Sequence, residues 1–127
     1  MRRKPLGVAG AFALWALVGS TAQAATADPV HGAHVYQRCQ LCHSIEHDLV
    51  GPRHLGLFGR KAGSIAGYPY STAMKNSGIT WSEDTLNQFL SGPQTYVPGT
   101  RMTFTGLPSE QDRADVIAYL KDATKPK

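Results

Sequence analysis

The chain is poor in cysteine, in long apolar runs and in net charge, and each shortage removes a class of function. Its 127 residues contain two cysteines, Cys39 and Cys42. A zinc site needs four nitrogen or sulfur ligands, usually a second Cys or His pair at short spacing. No such pair follows, although His47 and His54 are available as scattered ligands. A thioredoxin-like motif needs a βαβ setting, and the sequence has no convincing strands and no internal repeats. The charge-free stretch Leu6–Gly19 has 14 residues, short of the about 20 that a membrane span requires. Without Arg2, Arg3 and Lys4, the 13 Lys+Arg become 10 against 9 Asp+Glu, a net of +1. No basic run and no aromatic–basic interleaving remain, which excludes nucleic acid as a partner.

What stands at the N-terminus is an export signal. Arg2, Arg3 and Lys4 form a positive n-region, Leu6–Gly19 the apolar region, and Ala22-Gln23-Ala24 an A-x-A cleavage pattern. Residues 1–24 are therefore expected to be a signal peptide. Residues 25–127 would form one small domain, ordered from about 28 to 123, with only a modest core of its own.

The informative stretch is Cys39-Gln40-Leu41-Cys42-His43. Two cysteines three apart with a histidine directly after read as covalent c-type haem attachment. On one helical turn, positions i and i+3 share a face, so both thiols can reach the vinyl groups of one porphyrin. His43, one residue further round, can approach the iron as an axial ligand. A disulfide between Cys39 and Cys42 is the remaining alternative, and a three-residue step on a helix suits it poorly.

Around this motif the local signals are helical. Asp28-Pro29 is an N-cap followed by proline at the first position, and opens a helix expected to run from Pro29 through Cys42. Gly32, Val35, Tyr36 and Cys39 share one face, with Gly32 suited to close approach of another helix. Residues 44–72 are Gly- and Pro-rich without periodicity, a loop long enough to need something to wrap. Ser71–Ser77 is expected to form a short helix ended by Gly78. Ser82 caps the next helix, with Leu86, Phe89 and Leu90 as its stripe, and Ser91-Gly92-Pro93 stops it. Residues 92–108 read as irregular and contain Met102. The last helix starts at Pro108-Ser109-Glu110-Gln111-Asp112, a capping-box pattern, and runs to about Ala123. Val116, Tyr119 and Leu120 form its core stripe, with Ile117 beside it.

Beyond the pentapeptide, several segments resemble the class I cytochromes c, and most closely their mitochondrial-like bacterial members. They are Gly51-Pro52, Leu57-Phe58-Gly59-Arg60-Lys61, Gly78-Ile79-Thr80-Trp81, Tyr96-Val97-Pro98-Gly99-Thr100-Arg101-Met102 and Val116-Ile117-Ala118-Tyr119-Leu120-Lys121. The resemblance implies an all-α fold of three main helices plus short helices and loops around one haem c. It implies Met102 as the second axial ligand, with Met74 as the rival thioether. It implies that the Pro52 carbonyl orients His43, that Arg60, Tyr70 and Trp81 meet the haem propionates, that Thr100 lies near the inner propionate, and that Phe104 lies beside the exposed haem edge. Two positions depart from the pattern. Met74 stands where many relatives carry asparagine, and His54 stands where they often carry an apolar residue, so His54 is expected to turn to solvent. His31 and His34 read as surface residues. Arg38, Arg53, Lys75 and Arg101 are the basic residues expected to rim the haem edge.

Iron with both axial positions filled cannot readily bind oxygen, peroxide or substrate, but changes valence with little movement. The expectation is therefore a non-enzymatic periplasmic single-electron carrier, a monomer that docks redox protein partners at the haem edge. The rivals are a haem subunit of a larger periplasmic oxidoreductase and an open-site haem enzyme or sensor.

Overall fold

In the computed structural model, which describes residues 25–127, Asp28 caps α1 (Pro29–Tyr36) as its sequence requires. The carboxylate accepts from the Val30 and His31 amides at 2.8 and 3.3 Å. The signal peptide expected over residues 1–24 lies outside the described residues. α1 ends six residues before Cys42, earlier than its periodicity suggests. From Gln37 on, most amides bond three residues back: Arg38 to Val35, Cys39 to Tyr36 and Cys42 to Cys39, at 3.2, 2.8 and 3.1 Å. This tighter winding brings positions i and i+3 into eclipse. It replaces the α-helix where the two thiols must stand over one another.

The other caps also form where local chemistry places them. Ser71 accepts from the Met74 amide at the head of α2 (Thr72–Lys75). At the head of α3 (Glu83–Ser91), Ser82 and Thr85 exchange side-chain-to-backbone bonds of 3.2 and 2.8 Å. Glu83 and Asp84 in its first turn complement the helix dipole. Segment 92–108 is less irregular than it reads. Pro93, whose fixed φ and missing N–H suit a first helical position, opens the single-turn α4 (Pro93–Tyr96). α5 (Glu110–Ala123) begins after Ser109, which accepts from the Asp112 amide at 3.1 Å. Among the described residues the extended pairing is one isolated bridge, Lys61 to Thr80.

α1 and α3 both pack on α5. The core joins Val35 and Tyr36 of α1, Leu86, Phe89 and Leu90 of α3, and Val116, Ile117 and Leu120 of α5. Loop 44–71 is sewn to this frame through its backbone. The Gly56 amide bonds the Thr124 carbonyl and the Gly59 amide the Trp81 carbonyl, at 2.7 and 2.8 Å.

One buried acid joins α1 to α5. Asp115 is 2% exposed, and its carboxylate accepts from the Asp28 amide at 2.7 Å and Gln111 Nε2 at 2.7 Å, with His31 Nδ1 at 2.8 Å. His31 is thus on the surface as expected, but its ring is tied to the helix crossing, with Asp112 a further 4.0 Å neighbour. The Asp28 amide bond, ahead of the His31 and Gln111 bonds, holds the Asp115 pKa below its ordinary 3.8. A depressed carboxylate pKa contributes stability that is present above the unfolded value and lost as pH falls through the folded one. Urea midpoints of the wild type should therefore drop between pH values above and below 3.8 more steeply than those of Asp115→Asn. Parallel curves would show that the carboxylate contributes nothing to acid lability.

Candidate haem site

A cavity of about 320 Å³ opens between the 37–43 turns, loop 50–70, α3, α5 and the 100–104 segment. Its walls are mostly apolar, with Leu57, Trp81, Leu86, Leu90 and Leu120 among them. Folded interiors rarely leave voids much larger than a water, so a space of this size is made for an occupant. Cys39, Cys42, His43, Pro52, Arg60, Tyr70, Trp81, Thr100, Met102 and Phe104 all line it. The sequence scatters these residues over more than sixty positions, and the fold brings them to one space.

Burial pushes the Cys39 thiol up to about 11, away from the thiolate that disulfide exchange needs. Among the described residues no cluster of three His, Cys, Asp or Glu could hold a metal ion. Cys39 and Cys42 are not joined to each other as a disulfide. His43 is set as a neutral imidazole. Its Nδ1–H donates to the Pro52 carbonyl at 2.7 Å, and burial lowers its pKa against the smaller opposing effect of that bond. With Nδ1 occupied, Nε2 is the nitrogen left for a metal. Gly51 makes this approach possible. A Cβ there would stand 2.3 Å from His43 Cε1.

Polar groups at the wall are partly committed. Arg60 donates through Nη1 to the Leu55 carbonyl and through Nη2 to the Arg53 carbonyl, at 2.8 and 3.0 Å, so it braces the loop as well as lining the cavity. The Tyr70 hydroxyl accepts from the Ile65 amide at 3.3 Å, which leaves its own proton free to donate. Trp81 is buried with its ring tilted against Phe89. Thr100 Oγ1 accepts from the Met102 amide at 3.3 Å. Met74 lines the same cavity, so the two thioethers share one space.

His54 does not turn to solvent. Its Nδ1 lies 3.0 Å from the Tyr36 hydroxyl, and its ring stacks on that of His43, with centroids 4.3 Å apart and planes at 24°. Burial, with His43 and Arg60 nearby, pushes its pKa down to about 3, so it is neutral at physiological pH. The expectation of a solvent-facing ring fails because a half-buried imidazole gains from a hydrogen-bond partner, and Tyr36 supplies one from 18 residues away. Two tethers were also not legible. The Tyr68 hydroxyl donates to the Val50 carbonyl, and Arg101 Nη1 donates to the Pro69 carbonyl. Together they draw the 68–70 stretch to both neighbouring loops. Of the basic rim residues, Arg38 and Arg101 line the cavity, while Arg53 is paired with Asp48 at 2.9 Å.

A small helical domain that wraps an apolar space around two thiols and a neutral imidazole is built to hold a porphyrin plate, which places it among the covalent haem proteins. The family model described as Cytochrome c matches residues 29–124. The chain is 50% identical to cytochrome c2 of Rhodomicrobium vannielii over 108 residues, 83% of this chain and 86% of that protein. It is 45% identical to cytochrome c2 of Blastochloris viridis, over 87% of this chain and 89% of that one. The solved structure of cytochrome cH from Methylobacterium extorquens superposes with a TM-score of 0.72 at 42% identity, covering 74% of this chain and 97% of that one. The chain belongs to the cytochrome c family. It is an all-α electron-carrier c-type cytochrome, not an enzyme, with one haem c attached through Cys39 and Cys42, and it acts with redox partners. No helix among the described residues is long and apolar enough to cross a membrane.

Proposed function

We propose that the protein is a periplasmic shuttle for single electrons, exported by residues 1–24 and working as a monomer, with His43 and Met102 as the residues that would hold the iron of its haem. The bound haem supplies a one-electron couple. The chain's own residues do the rest. Pro52 orients His43, the Thr100 hydroxyl holds the backbone of the Met102 segment, and the apolar wall keeps water away. Tyr70, Trp81 and Arg60 are the groups proposed to meet the propionates. Phe104 is proposed to stand at the exposed edge. Leu41 and Val50, 84% and 79% exposed, line the cavity mouth beside Arg38 and Arg101, and form a docking rim of apolar contacts with a few cations. Encounter at such a rim is brief and only weakly salt-dependent.

The observation that carries this reading is the His43 imidazole, tied by Nδ1 to the Pro52 carbonyl, in the same apolar cavity as Met102. Carbon monoxide tests it. The ferrous protein, with a pyridine haemochrome spectrum of two thioether links, should keep its native visible spectrum under the gas. A shifted spectrum means a vacant or easily vacated position, and would replace the shuttle by an open-site enzyme or sensor.

A further inference from the structure

We propose that His54 is a positioning residue for the nitrogen ligand: its ring, pinned by the Tyr36 hydroxyl, backs the His43 imidazole and fixes the plane in which that imidazole stands. The proposal rests on the reading in which His43 binds iron.

An imidazole held by a metal through one nitrogen can still turn about the metal–nitrogen axis. The bond from Nδ1 to the Pro52 carbonyl restrains that turn, but hydrogen-bond directions at a carbonyl oxygen are broad. A flat ring 4.3 Å away and only 24° from parallel restrains it further. Turning His43 out of its plane would drive its edge atoms into His54. Gly51 leaves no slack either, since a Cβ there would fall within 2.3–2.6 Å of Cε1, Nδ1 and Nε2.

His54 works as a stop only because it is itself held. The outer torsion of a histidine is broad and poorly quantised, and a loosely packed ring would swing. The Tyr36 hydroxyl at 3.0 Å removes that freedom. Tyr36 is 1% exposed and its ring is tilted against Tyr119 of α5 at 5.3 Å. The anchor of the stop is therefore the α1–α5 crossing, where Gly32 lets the two helices approach closely. A leucine at position 54 would fill similar volume, but it has neither a flat face nor a hydrogen bond.

Haem-methyl proton resonances of the oxidised holoprotein follow the orientations of the imidazole and the thioether together, so with Met102 unchanged a turn of the His43 plane moves their order or spacing. His54→Leu and Tyr36→Phe should both change the order or spacing of these resonances, His54→Leu more strongly, with the far-red sulfur-to-iron band intact in both. Core filling alone would lower thermal stability and leave the methyl pattern in place. A His54→Leu pattern that overlays the wild type therefore overturns the proposal, whatever its melting temperature. An unchanged Tyr36→Phe pattern beside a shifted His54→Leu pattern removes the pin and overturns it as stated. Failure of the ligation reading looks different: the wild type itself would lack a low-spin spectrum.

Discussion

Met102→Ala is expected to lose the far-red sulfur-to-iron band of the oxidised protein completely and to bind carbon monoxide when reduced. Its reduction potential should fall. Thioether ligation favours the ferrous ion, and axial ligands as a group move haem potentials over roughly 0.8 V, so the loss of one of them has a large effect. The fold should survive it. Met102 is partly buried on a loop and packs against the core formed by α1, α3 and α5 from outside it.

Met74→Ala is the discriminating partner. Both thioethers line the cavity, so cavity lining does not choose between them, but their settings differ. Met74 is 9% exposed and sits inside the core cluster on α2, where the usual role of a methionine is to fill space. Met102 follows the Pro98-Gly99 turn, with Gly99 in the left-handed region at φ 93°, on a segment held by Thr100 and Arg101. Met74→Ala should lower stability by about 2–5 kcal/mol, as large-to-small core changes do, and keep the band. The reverse pattern, with the band lost in Met74→Ala and kept in Met102→Ala, would exchange the two assignments.

What was legible in the sequence was whatever chemistry demands contiguous residues. Covalent haem attachment needs two thiols and an imidazole within one turn, so Cys39, Cys42 and His43 announce it. Helix caps are equally local, and Asp28, Ser82 and Ser109 each cap the helix their neighbours describe. The misreadings share a different cause. The end of α1 depends on where the thiols must stand, which periodicity does not encode. α4 is a single turn opened by Pro93, and a short Pro- and Gly-rich stretch reads as a break whether or not one turn forms. Asp115 carries no local sign of its burial, because its amide partner lies 87 residues earlier. His54 turns inward because Tyr36 offers a hydroxyl, a fact about two side chains that meet only in the fold. Polar groups that are buried for the sake of distant partners are invisible to patterns built on hydrophobicity.

Gly32→Ala sets two opposed effects against each other. In an isolated helix alanine is better than glycine by about 1 kcal/mol, so local propensity predicts a gain for α1. The crossing predicts a loss. A Cβ on Gly32 would fall 2.0 Å from the Asp115 carbonyl oxygen, 2.5 Å from its carbonyl carbon and 3.0 Å from Tyr119 Cβ. Two of these are backbone atoms, which no rotamer change can move aside. Ordinary contact can be restored only by pushing α1 and α5 apart. That separation also stretches the bonds from Asp28 and His31 to the Asp115 carboxylate, leaving a buried charge short of partners. Overpacking costs typically 1–3 kcal/mol, and more against backbone, and an unsatisfied buried carboxylate adds to it. The loss should win by about 3 kcal/mol, which for a domain of this size lowers the melting temperature by roughly 10–20 °C. Gly92→Ala is the control. Its φ of −176° is ordinary extended backbone, and its nearest atom would be Thr95 Oγ1 at 3.5 Å, so it should stay within about 1 kcal/mol of the wild type. A Gly32→Ala protein that melts at or above the wild-type temperature would mean that propensity outweighs contact here, and that α1 and α5 have room the crossing geometry denies.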